Sequence, residues 1–399
     1  MPPMSRERPL RVHVLIDSLN WGGAETLLAE YAAGARRVGI EVSVAHLSDR
    51  PGAEHRLRDQ GIEPTLLDVH GLLSRRNRRR VRDHLVSVEP DLLHTHLGYS
   101  DFYGGLAARS LGIPAVSTLH TMEDASGLRE WTKEWLMAWA RRRSAYRVIA
   151  VSDALRRHYL ATGRDSETRV VAVHNGIVGD AEPGAGARIR SALGIEPESF
   201  VVGMLSVLRL GKGHDVAASA VASLADRFPQ IRLLVLGTGP DEREIAETLA
   251  PLGDKVIMAG HRDDVLATLD AVDALVHPSQ VDALPTALME AMAARVPVVA
   301  TRVGGIPEIM GEEETGLLID APPKPGALAA AIERLLTDGG LRARLADAGR
   351  ARFEAEFSVE RWFERLLPIY EGAIAAQPAS GSARRAVPVR DVKRVRDAR

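Results

Sequence analysis

Residues 277–310 read HPSQVDALPTALMEAMAARVPVVATRVGGIPEIM. An apolar run at 274–276 precedes the stretch, and a second lies within it at 297–300, with helical sequence between the two. Short apolar runs joined through a loop and a helix predict parallel strands in a β–α–β unit, buried on both faces. The helix opens near Pro285, where the missing N–H of proline costs no intrahelical bond.

Outward from this unit the same alternation recurs. In the second half, strands are expected at 200–205, 231–236, 256–258, 274–276, 297–300 and 315–319. In the first half they are expected at 11–16, 42–47, 91–95, 115–119, 148–151 and 170–173, with a helix from about 24 to 37. Gly or Pro marks many strand ends, as tight βα turns require. The reading is an α/β chain with two doubly wound domains, each Rossmann-like, facing a central cleft. The Gly- and Pro-rich segment 175–187 (NGIVGDAEPGAGA) is taken as the linker. The domains are thus placed at 1–180 and 181–357. A last helix at 358–376, interrupted near Pro368, packs back toward the first domain, and a basic, disordered tail spans 377–399.

Composition narrows the class. A chain of 399 residues is too long for one ordinary core and suits two domains of roughly 150–200 residues. With 45% hydrophobic and 26% charged residues, it is neither disordered nor fibrous. The absence of cysteine excludes disulfides, thiolate metal sites and cysteine nucleophiles. No run of about 18 apolar residues exists and the N-terminus lacks a secretory h-region, so a soluble, cytoplasmic protein is expected. Residues 1–180 carry 25 basic against 22 acidic residues, whereas 181–378 carry 19 against 29. That asymmetry fits a first half facing something anionic, and equally a random drift of surface charge.

Two clusters carry candidate chemistry. Asp282 and Glu290 flank the start of the helix at Pro285, and carboxylates there can accept hydrogen bonds from sugar or ribose hydroxyls. Asp282 can equally cap the helix. In SVLRLGKGH (206–214), Arg209 and Lys212 stand three apart in a glycine-containing turn between a strand and a helix. Fixed cations at a helix N-terminus suit phosphate, though a solvated basic turn is the plainer reading.

Taken in order, WGGAE (21–25), His120, AVSDAL (150–155), HNGI (174–177), Arg209/Lys212, LGTGP (236–240), GHRDDV (260–265) and the 277–310 stretch resemble the retaining glycosyltransferases of family 4, over about residues 10–375. The resemblance implies the GT-B fold, with a nucleotide-sugar donor held mainly by the C-terminal domain. It implies that Arg209 and Lys212 grip the donor diphosphate, Glu290 bonds the ribose and Asp282 holds sugar hydroxyls. Arg262 would lie near the nucleobase, Leu284 would line the substrate site, and His120 would sit beside the sugar. Gly22 and Gly23 would let the backbone approach phosphates or acceptor, since glycine tolerates positive φ and has no side chain. Asp282 stands where the family has Glu, and Ala283-Leu284-Pro285 replaces a Gly-Phe-Gly-like stretch. No cofactor is implied beyond the donor. Without an Asp-x-Asp triplet, transfer is expected to need no metal.

On the acceptor side, a glycan, lipid-linked or small polyol hydroxyl is expected. RRNRRRVR (75–82) and the Trp131, Trp135, Trp139 stripe, followed by Arg141–Arg143, fit peripheral contact with an anionic membrane. They fit equally a core stripe beside solvated arginines. No motif for nucleic acid accompanies them. His94 and His96, two apart on a strand, could pass for metal ligands, but no third is evident, and packing or acceptor contact suits them better. Rival functions are a non-catalytic sugar-nucleotide-binding subunit and a dinucleotide-dependent oxidoreductase, the latter weakened by a missing third glycine in LGTGP.

Overall fold

A computed structural model of the chain describes residues 8–20, 22–50, 52–122, 127–180, 184–311 and 314–377. Trp21, residues 181–183 of the linker stretch and the tail 378–399 lie outside the described residues. The chain divides into two compact units, one of residues 1–176 with 359–399 and the other of 177–358.

The first unit is built on a seven-stranded sheet. Its strands are β1 (Leu10–Ile16), β2 (Ile40–His46), β3 (Thr65–Leu66), β4 (Leu92–His96), β5 (Ala115–Leu119), β6 (Val148–Ala150) and β7 (Val170–Ala172). They pair in the order β3-β2-β1-β4-β5-β6-β7, every pairing parallel. Central strands β4 and β5 are buried at every position because helices cover both faces. Leu15, Leu93, Phe102, Tyr103 and Ala108 centre one core cluster.

The second unit carries β8 (Phe200–Leu205), β9 (Ile231–Leu236), β10 (Val256–Gly260), β11 (Ala274–His277), β12 (Val298–Thr301) and β13 (Gly316–Ile319). Their order is β10-β9-β8-β11-β12-β13, again all parallel. Edge strand β10 has no fully buried residue, unlike β11 and β12 at the centre. In both sheets the order reverses once, between β1 and β4 and between β8 and β11. A doubly wound sheet opens a crevice at such a point, beyond the carboxyl ends of its strands.

The final helix, Val359–Ala375, belongs to the first unit. It lies against helix Gly23–Arg37 at Gly34, where an added Cβ would stand 2.2 Å from Val359 Cγ2 and 2.7 Å from Phe363 Cε2. It runs unbroken through Pro368, contrary to the expected interruption. Pro368 and Glu364 are both exposed, so water can reach the carbonyl that the proline leaves without a donor.

Helix Leu128–Ser144 also departs from expectation. Trp131 and Trp135 are 52% and 43% exposed, whereas Trp139 is half-buried and packs against the core cluster, so the tryptophan stripe is core only at its C-terminal end. The helix buries Met137, Ala138, Ala140 and Arg141 instead, and Arg141 is no solvated arginine. Its Nε donates to Asp101 at 2.5 Å and its Nη1 to the Tyr159 hydroxyl at 3.2 Å. Asp101 therefore neutralises a charge that burial would otherwise disfavour. Among the described residues no helix is long and apolar enough to cross a membrane.

Candidate active site

In the second unit, three loops meet at the carboxyl end of the sheet. The loop after β8 carries Arg209 and Lys212, that after β9 carries Gly237 and Gly239, and that after β11 carries Asp282. They are tied by backbone bonds from Leu208 N to Thr238 O (3.0 Å), Asp241 N to Leu208 O (3.1 Å) and Gln280 N to Gly211 O (2.9 Å). The approach is close enough to demand glycine. At Gly213, with φ +82°, a Cβ would lie 2.1 Å from Pro278 O; at Gly239 it would lie 2.3 Å from Leu208 O. These glycines bring the cation-bearing and carboxylate-bearing loops together at the reversal between β8 and β11.

There Lys212 Nζ donates to Asp282 Oδ2 at 2.7 Å, and His277 Nε2 donates to the same oxygen at 3.0 Å. Burial pushes the Asp282 carboxyl up, but the His277 hydrogen bond and the Lys212 charge outweigh it, and the group is held at about 2. A carboxylate only accepts, so His277 carries its hydrogen on Nε2 and leaves Nδ1 a buried nitrogen without a partner. Asp282 does not cap the following helix. That helix, Thr286–Ala293, starts after Pro285 and has no side-chain cap. Asp282 thus precedes the helix that carries Glu290, and no helical angle relates the two carboxylates.

Helix His214–Ala225 likewise begins without a side-chain cap, directly after Gly213. Its first amides and the positive end of its dipole lie next to Lys212 in sequence. His214 is buried and held at about 4 mainly by desolvation, which keeps it neutral, and its Nε2 lies 3.2 Å from the Ser206 hydroxyl. Arg262, after edge strand β10, is drawn to Asp264 by two bonds of 2.8 and 2.6 Å and also donates to Thr268. Leu284 is buried and Glu290 half-buried.

The first unit forms its own constellation, at the reversal between β1 and β4. Asp17, following β1, accepts from Tyr99 N (3.0 Å), Ser100 N (2.7 Å) and the Ser100 hydroxyl (2.8 Å) in the segment after β4. Burial raises its pKa to about 6 although all three bonds pull the other way. Gly22 and Gly23 follow at the start of helix Gly23–Arg37, which has no side-chain cap. Neither needs glycine's conformational freedom: Gly22 is extended at φ −167°, and Gly23 is absent from the positive-φ residues. The positive-φ argument therefore fails, but an added Cβ at Gly23 would meet nothing within 4 Å.

His120 follows β5, and its Nε2 lies 2.8 Å from Nδ1 of His96, the last residue of β4. His94 is bonded at both nitrogens, Nδ1 to the Tyr370 hydroxyl (2.8 Å) and Nε2 to Thr118 Oγ1 (2.7 Å). Those bonds make His94 a core histidine, as the packing alternative had it. Reading the sequence by itself overlooked His277 as the partner of Asp282 and His96 as the partner of His120. A histidine ending the strand before each loop was the only visible signal.

Two family models cover most of the chain. Residues 21–179 match Glycosyltransferase Family 4 and residues 187–352 match Glycosyl transferases group 1. An alpha-maltose-1-phosphate synthase of Mycolicibacterium smegmatis is 32% identical, over 70% of this chain and 78% of its own. A D-inositol 3-phosphate glycosyltransferase of Salinispora arenicola is 31% identical, over 72% and 69%. Among solved structures, Anabaena HepE in complex with UDP and glucose superposes with a TM-score of 0.79 at 24% identity, covering 91% of this chain and 100% of that one. Sucrose-phosphate synthase from Thermosynechococcus elongatus gives 0.75 at 21%, covering 92% and 100%.

Proposed function

The chain belongs to the family 4 glycosyltransferases, and on that premise we propose its reaction. It moves a hexosyl group from a nucleoside diphosphate sugar to a hydroxyl of a glycan, a lipid-linked acceptor or a small polyol. The anomeric configuration is retained and no metal is needed. The observation that carries this reading is the Lys212–Asp282–His277 group at the reversal of the second sheet.

Each part has a task. Lys212 and Arg209, with the uncapped amides of helix His214–Ala225, receive the diphosphate. As the bond between the sugar C1 and the phosphate oxygen breaks, the electron pair leaves with the diphosphate, and these groups stabilise the growing charge. The acceptor oxygen bonds to C1 on the same face, and its proton passes to the departing phosphate oxygen. Asp282, kept ionised, accepts from hydroxyls of the transferred sugar. Glu290 accepts from the ribose, Arg262 with Asp264 borders the base, and Leu284 lines the donor pocket. Gly22 and Gly23 leave room for phosphate or acceptor, and His120 contacts the sugar.

Release of free nucleoside diphosphate from a panel of donors tests the reaction. Turnover that survives EDTA is expected; loss on chelation with rescue by magnesium or manganese refutes the metal-free step.

A second reading concerns location at the cytoplasmic face of an anionic membrane. Arg75, Arg76 and Arg78 are exposed on helix Arg75–Val88 and form no ion pair among the described residues, unlike Arg79, Arg80 and Arg82. Each basic residue near an anionic bilayer contributes roughly 1 kcal/mol. Replacing the three with Ser should release the protein from anionic vesicles in flotation, and unchanged binding would reject this location.

A further inference from the structure

His96 and His120 share one hydrogen bond that can be made in two ways. The ring planes are 23° apart and their centroids 5.0 Å apart, with His96 Nδ1 2.8 Å from His120 Nε2. Burial lowers the pKa of both, His120 to about 4, so both are neutral near pH 7 and one proton lies between them. His96 is 1% exposed, and its other nitrogen, Nε2, is enclosed without any partner. His94 offers it none, since both of its nitrogens are committed to hydroxyls.

The two arrangements differ in what they leave unpaired. If His120 Nε2 carries the shared proton, neutral His96 must carry its own on Nε2, as a buried N–H with no acceptor. If His96 Nδ1 carries it, the unpaired atom is only a lone pair. Orphaned buried N–H groups are the rarer and costlier case. No hydrogen bond from His120 Nδ1 occurs among the described residues.

The geometry points to His96 as a positioning residue that fixes His120 in the Nδ1–H tautomer, so that His120 meets its ligand as a neutral hydrogen-bond donor. The complementary ligand atom is an uncharged oxygen acceptor, such as a sugar hydroxyl. His120 is then no general base, which accords with the proton passing to the leaving phosphate. This inference rests on the reading that His120 touches the donor sugar.

The test uses the full chain with 15N-labelled histidine. Long-range 1H–15N correlation spectra at neutral pH report which ring nitrogen is protonated, with His120 assigned by its loss in His120→Ala. A proton on Nδ1 of His120 and on Nδ1 of His96 is expected; a proton on His120 Nε2 overturns the inference. Two variants extend the test to turnover. In His96→Asn the side-chain amide N–H stands where Nδ1 was, whereas His96→Leu supplies no donor. His96→Leu should lose about tenfold in kcat, the worth of one hydrogen bond, and His96→Asn should recover most of it. Equal losses in two folded variants would contradict the positioning role. Unchanged turnover in His120→Ala would instead remove the sugar contact, while the tautomer of the wild-type protein remained measurable.

Discussion

The two units share one strand order, with a seventh strand added in the first, and arm it with different chemistry. At the reversal of the second sheet, the strand ends carry an ammonium and a carboxylate, brought together by loops that only glycine allows to approach. In the first unit the strand ends carry neutral histidines, His96 buried and His120 half-buried, and an aspartate bonded by two backbone amides and a hydroxyl. One reversal thus holds an ion pair, the other a pair of neutral histidines bonded to each other beside Asp17. Their uncapped helices after β1 and β8 are alike, so the difference lies in the loops and not in the frame. A doubly wound sheet fixes where a ligand binds, and the side chains at its reversal determine which kind.

The comparison breaks most sharply at Lys212. Lys212→Met should lower kcat on the order of 10²–10³-fold, as for loss of one preorganised donor to a charged transition state. A loss below tenfold would mean that the second unit does not use its charge in this way.

Stability should divide along the same line. Gly34→Val forces a side chain into Val359 and Phe363, and a cost of about 3 kcal/mol is expected from overpacking, read as a fall in denaturant midpoint. Little change would mean that the final helix is not tightly seated on the first.

Acid should find the charged site. The Asp282 carboxyl is held at about 2 against an ordinary 3.8, so its ionised form stabilises the fold by about 2 kcal/mol above pH 4. That contribution fades as pH falls from about 4 through 2. Urea midpoints measured over this range should decline less in Asp282→Asn than in the wild type; parallel declines would show that the carboxylate is not linked to folding.

The smallest effect is expected at His277. His277→Gln can present an amide N–H to Asp282 and should stay within a few-fold of wild type in donor KM. His277→Leu leaves the carboxylate with Lys212 alone and should raise KM roughly tenfold. Equal KM values would make His277 a packing residue only.

Legibility in sequence followed how local the cause was. Strands β5, β8 and β9 were readable to the residue because a strand covered on both faces is a continuous apolar run. Strand β3 was missed, since two exposed residues leave no pattern. Pro368 misled because its effect depends on which face of the helix meets water, and the tryptophan stripe because periodicity does not say whether a neighbour covers it. Lys212 and Asp282 could each be picked out singly, but their pairing joins residues 70 apart in sequence. The pairings of His277 with Asp282 and of His96 with His120 stayed hidden because a histidine's role is set by the atom opposite each nitrogen.

The chain leaves the first unit after Gly176 and re-enters it at Val359. Synthesis from the N-terminus therefore produces the whole of the second unit before the helix that seats Tyr370 against Tyr31 and His94 exists. The second unit, contiguous in sequence, can mature while still on the ribosome. The first must wait with an apolar flank uncovered, a window in which a chaperone has something to hold.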